Sequence, residues 1–105
     1  MLSAHQVYIP VTVVLELEWV LRSRYGFARP VIALAMEKIA SLENAVIAEH
    51  AAVVAATENL ARGWDFADAL HHALSMGCDD FATFDTALVK RAKSNRSTKP
   101  PVVAV

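Results

Sequence analysis

The sequence holds a single cysteine, Cys78, which excludes an internal disulfide and fits a reducing compartment. No apolar run reaches the ~18 residues that a bilayer span requires. The opening stretch, Met-Leu-Ser-Ala-His-Gln-Val, lacks the basic region of a secretory signal. A cytoplasmic protein with no membrane partner is therefore expected. Internal repeats are absent, and no aspartate occurs before Asp65. Bulk charge of one sign is also missing: the formal net charge is −1, so no basic excess advertises a nucleic-acid partner.

What is present is a chain of 105 residues, 55% hydrophobic and 20% charged. That is enough for one globular domain and not for two. A domain of this size buries a modest share of its surface, and the apolar excess is high for its length. Surplus apolar surface needs a partner, either an upstream segment or a second copy, so a homodimer is expected. Charge is unevenly placed. All five aspartates (Asp65, Asp68, Asp79, Asp80, Asp85) fall within 21 residues, and Lys90, Arg91, Lys93, Arg96 and Lys99 follow directly. Acids beside a basic tail suit a site that holds cations next to phosphates; a solvated helix face and a loop would look the same.

Periodicity divides the chain into alternating strands and helices. Strands are expected over residues 7–11, 44–48, 81–84 and 102–105. Helices are expected over residues 12–25, capped by Thr12 and stopped by Gly26, over 29–42, over 51–62 ending at Gly63, over 65–76 with Gly77 as its stop, and over 86–93. The second helix shows an apolar face of Val31, Leu34, Ala35, Ile39 and Leu42. Residues 94–101 read as a polar loop. This order predicts an α/β fold with a mostly parallel central sheet, whose ligands sit where strands end and helices begin.

Acidic residues occupy such positions. On a helical wheel Glu16 borders the apolar stripe of Val13, Val14, Leu17, Val20 and Leu21, with Glu18 on the other border beside Arg22. A carboxylate half covered by valines calls for a cation, either a metal or an arginine; a boundary Glu paired with Arg24 is the plainer alternative. Asp65 and Asp68, at i and i+3, can approach one Mg²⁺ or Mn²⁺, which prefer hard oxygen ligands. The same spacing resembles a capping box, so Asp65 reads chiefly as a cap and Asp68 as the chemical group. His72 shares their helix edge, but no third His or Cys completes a zinc site, and His71 and His72 read as surface residues. Asp85 ends the third strand before a helix, serving as cap, ligand or both. Asp79 and Asp80 lie at the opposite end of that strand and are discounted.

Three blocks, LELEWVLRSRYG, GWDFADALHHAL and CDDFATFD, resemble the PIN domain, most closely the VapC-type toxins of bacterial toxin–antitoxin pairs. The resemblance covers nearly the whole chain. It implies a three-layer PIN-like domain and a Mg²⁺- or Mn²⁺-dependent endoribonuclease with a cognate antitoxin as partner. Carried over by position, Glu16, Asp68 and Asp85 are the implied catalytic and metal-binding acids, and Asp65 a weaker companion. One departure stands out. The family opens with a strand ending in Asp-Thr-Asn, whose aspartate anchors the metal. Here residues 1–4 read as the last turn of the helix that follows that strand, so the domain is expected to be N-terminally truncated.

On this reading the carboxylates hold one or two cations for phosphodiester hydrolysis, and Lys90, Arg91 and Lys93 are candidates for holding the RNA backbone. The rival is an inactive PIN remnant that binds an antitoxin or itself, which the apolar excess and the missing aspartate favour.

Overall fold

The computed structural model of the chain describes residues 5–93 and 99–105. The expected helical turn at residues 1–4, most of the polar loop and Arg96 lie outside them. The elements run β1 (Val7–Ile9), α1 (Val11–Ser23), α2 (Arg29–Ala40), β2 (Ala45–Ile47), α3 (His50–Ala61), α4 (Phe66–Leu74), β3 (Phe81–Thr83), α5 (Thr86–Lys93) and β4 (Val102–Ala104). The fold is α/β with parallel strand pairing. Among the described residues no helix is long and apolar enough to cross a membrane.

The strands form two separate pairs instead of the single expected sheet. β1 runs parallel to β2 with Tyr8 opposite Val46, and β3 runs parallel to β4 with Ala82 opposite Val103. Alternation explains what each pair buries. Ile9, Ala45, Ile47, Phe81 and Val102 face the core, while Tyr8, Val46, Ala82 and Val103 face outward. Parallel sheets normally bury both faces. Here each pair has an open apolar face, extended by Phe84, 85% exposed, and Val105.

The core lies among the helices, and α3 and α4 pack most closely. Phe66, Ala69 and Leu70 of α4 are completely buried, as their i, i+3, i+4 spacing predicts. Leu74 falls on the same face by spacing, four residues after Leu70, but is exposed because the helix ends there.

Two expectations about helices fail for physical reasons. Thr12 does not cap α1: Pro10 occupies the N-cap position and makes no side-chain cap bond. The inner face of α2 is Ile32, Ala33 and Met36, whereas Val31, Leu34 and Leu42 are exposed. This helix is apolar nearly all round, so periodicity permits two phases and only packing against α3 selects one.

Phe66→Ala should lower stability by ~3–5 kcal/mol, the usual cost of emptying a fully buried aromatic site. Urea unfolding followed by circular dichroism should show a lower midpoint with an unchanged slope; an unchanged midpoint would mean the α3–α4 core is misassigned.

Candidate acidic site at the starts of α4 and α5

The turn between α3 and α4 sets the geometry. Leu60 and its neighbours end α3, where backbone carbonyls lack helical partners. The guanidinium of Arg29, from the start of α2, donates through Nη1 to the carbonyls of Leu60 at 3.1 Å and Trp64 at 2.6 Å. Between them Gly63 adopts φ +108°, a conformation that suits glycine. The guanidinium of Arg91, from α5, lies directly over Gly63, where a Cβ would collide with its Nη1.

Asp65 follows this turn and caps α4, accepting from the backbone N–H of Asp68 at 3.2 Å. Asp85 does the same for α5, accepting from the N–H of Leu88 at 3.1 Å, while its own N–H donates to the Thr83 hydroxyl. Two helix starts thus bring Asp65, Asp68 and Asp85 to one open hollow of about 200 Å³, which Arg29, Gly63, Trp64 and Arg91 also line. A larger hollow of about 490 Å³ between α2 and α3 is lined mostly by small residues, with Glu37, Glu58 and His50, and contains none of the clustered aspartates.

The Asp68 carboxyl is held above the ordinary carboxylate range. Burial is the main cause, followed by the negative charges of Asp65 and Asp85; His71 pulls the other way, and a hydrogen bond with Asp85 adds to the upward shift. Asp68 and Asp85 are therefore an interacting pair. Among the described residues no group of three or more His, Cys, Asp or Glu side chains stands ready to hold a metal ion. A pair of hard oxygen donors is nevertheless what Mg²⁺ commonly takes from a protein, since that ion keeps several waters and completes its shell with substrate phosphate.

The other candidate residues lie elsewhere. Glu16 is exposed on α1, does not line the hollow, and makes no hydrogen bond or ion pair with another described residue. Its half-buried setting is corrected: the buried carboxylate of α1 is Glu18, with 4% of its side chain exposed. Glu18 is gripped by Arg22, Nε to Oε2 at 3.0 Å and Nη2 to Oε1 at 3.5 Å. The bond to Glu18 raises the Arg22 pKa and keeps the guanidinium charged. Of the basic residues on α5, Arg91 lines the hollow, and Lys90 and Lys93 do not.

His72 is not a surface residue. It is buried, its Nε2 lies 2.6 Å from the Pro100 carbonyl oxygen, and its ring meets Phe81 edge-on and Trp64 at a tilt. His71 is exposed, as expected. Asp79 and Asp80 are exposed and outside the hollow.

The chain matches no family model, no curated protein and no solved structure.

The raised pKa of Asp68 has a consequence for stability. A carboxylate whose folded pKa lies above its unfolded value costs stability wherever it is ionised in the folded state, and that cost disappears below the unfolded pKa. Asp68→Asn should raise the melting temperature at about pH 7, and the gain should vanish near about pH 3, below the ordinary carboxylate range. Thermal melts at both pH values check this; a gain that persists at the lower pH would assign the effect to something other than charge.

Proposed function

We propose that the chain is a PIN-like domain of the VapC toxin type, with both strand pairs belonging to one three-layer arrangement, and that it cleaves RNA phosphodiesters with Mg²⁺ or Mn²⁺. The observation that carries the proposal is the interacting pair of Asp68 and Asp85, which come from two helix starts into a hollow that also holds arginines. Carboxylates that share one hollow favour a shared proton or a shared cation.

Asp68 and Asp85 would hold the cation, with Asp65 the weaker companion that the resemblance implies. A bound divalent cation supplies Lewis acidity toward the phosphate and an activated water. The chain's own residues hold the acids in place: Asp85 is fixed at the start of α5 by its cap bond, and Asp68 is fixed in the first turn of α4, whose inner face is fully buried. Glu16 remains in the proposal as the helix glutamate of the resemblance. In this reading the substrate is RNA, the protein partner is a cognate antitoxin, and the compartment is the cytoplasm.

A second reading rests on a separate observation. The open faces of both strand pairs and the outer stripe of α2 expose Tyr8, Val46, Val103, Val31 and Leu34. The radius of gyration, 14.7 Å, exceeds the ~13 Å typical of a 100-residue domain. An interaction module, pairing with an antitoxin or with a second copy, would cover that apolar surface.

Incubation of the chain with structured RNA and Mn²⁺ should give cleavage that EDTA abolishes and that Asp68→Asn reduces by at least ~100-fold, as expected when a principal carboxylate is lost. Glu16→Gln in the same assay decides whether that residue belongs to the site. Cleavage indifferent to Asp68→Asn would remove the hollow from the chemistry. No cleavage, together with a dimeric mass by light scattering, would favour the interaction module.

A further inference from the structure

We infer that Arg29 and Arg91 form a two-armed clamp for a phosphate group on the rim of the acidic hollow. The inference rests on the ribonuclease reading and adds the residues that would seat the backbone of the substrate.

The two guanidiniums come from opposite ends of the sequence and converge on one turn. Arg29 uses Nη1 for the carbonyls of Leu60 and Trp64. A guanidinium carries five N–H donors in a planar fork, so the donors on Nε and Nη2 are not used by those two bonds. Arg91 lies over Gly63, in space that any side chain at that position would fill. Both line the same hollow as Asp65, Asp68 and Asp85. The glycine is favoured by its positive φ, and a side chain there would displace the Arg91 guanidinium from its place over the turn.

The charge balance points to what the clamp takes. Three carboxylates against two guanidiniums leave the hollow with one negative charge when all are ionised. A divalent cation turns that to one positive charge, and a phosphodiester then neutralises it. Neither the cation nor the phosphate alone brings the hollow to neutrality. Guanidinium matches phosphate geometrically through paired N–H donors, which an ammonium does not. Of the three basic residues that end α5, the clamp uses Arg91 and leaves Lys90 and Lys93 outside.

The test separates the clamp from the metal site. Binding of a fluorescent 2′-O-methyl RNA oligonucleotide, which resists cleavage, would be measured against NaCl concentration, with Mn²⁺ and with EDTA, for the wild-type chain, Arg91→Ala and Arg91→Lys. Mn²⁺ binding would be measured separately by calorimetry. Arg91→Ala should weaken oligonucleotide binding in Mn²⁺ by roughly tenfold, in the range of a lost charge-assisted contact. It should also reduce the salt slope by about 0.7, the value for one phosphate contact on a single strand. Mn²⁺ affinity should be unchanged or tighter. Arg91→Lys should keep the slope but recover only part of the affinity. An Arg91→Ala chain that binds Mn²⁺ normally and keeps both the affinity and the slope of the wild type would overturn the clamp. A wild-type chain that binds no Mn²⁺, yet loses slope on Arg91→Ala in EDTA, would overturn the metal reading and leave the clamp standing.

Discussion

The hydrogen bonds from Arg29 to the turn between α3 and α4 are the constraint on which the rest of the site depends. Arg29 opens α2, where a cation faces the positive end of its own helix dipole and is misplaced by the usual rule. It resolves that conflict by reaching to the end of α3, where the dipole is negative and the Leu60 carbonyl, which also accepts from the Gly63 N–H, has room for a second donor. One side chain thereby ties the beginning of α2 to the end of α3 and fixes Trp64. Asp65 must follow at once, in the extended conformation that caps α4. Both bonds come from one nitrogen, which an ammonium could match, but the guanidinium keeps its Nε and Nη2 donors beyond them.

From that anchored turn the electrostatics of the hollow follow. α4 and α5 both begin at it, each with an aspartate as N-cap, so two positive helix ends meet two carboxylates. Those carboxylates have competing uses, since oxygens that accept backbone N–H groups are partly spent. Asp68 is placed differently: its backbone N–H is what Asp65 caps, and its carboxyl carries no cap bond of its own. It is also the acid whose ionised form burial and the neighbouring charges resist. The group least committed to holding the fold is therefore the one with most to gain from a cation.

Much of this was legible in the sequence, because local rules and tertiary packing agree in the second half of the chain. Residues 86–93 were expected to be helical and are, since the strand–aspartate–helix pattern at Asp85 leaves little choice. Phe66, Ala69 and Leu70 likewise follow from spacing alone. The failures share a cause. His72, Glu18 and Arg29 all have environments made by residues distant in sequence or hidden in a helix phase, and a polar side chain on a wheel edge gives no sign of whether another element will cover it. For His72 the cover comes from Phe81 and Pro100. For α2 the apolar pattern fits two phases, and α3 selects between them. The division of the strands into two pairs was not readable, because strand propensity does not say which edges meet. Arg29 did leave a signal: an arginine just before the proline that opens a helix is a local conflict, and such conflicts mark sites where tertiary structure has another use for the residue.

The hollow lies on a seam, and this gives His72 a part in the site although it does not line it. One side of the seam is the packed body of α2, α3 and α4, which supplies Asp65, Asp68 and Arg29. The other is the unit of β3, α5 and β4, which supplies Asp85 and Arg91 and holds together through Leu88, Ala92 and Val102. The spacing between Asp68 and Asp85 is therefore a spacing between two units and is not fixed within either. Besides the shared apolar core and the packing of Arg91 on Gly63, His72 spans the seam: it lies one turn along α4 from Asp68, wedged between Trp64 and Phe81 and within hydrogen-bond distance of the Pro100 carbonyl. Buried polar contacts of this kind are costly to break because the partner left behind is unsatisfied. The histidine thus acts on the acids through geometry, as one of the contacts that set how the unit carrying Asp85 sits against the helix carrying Asp68.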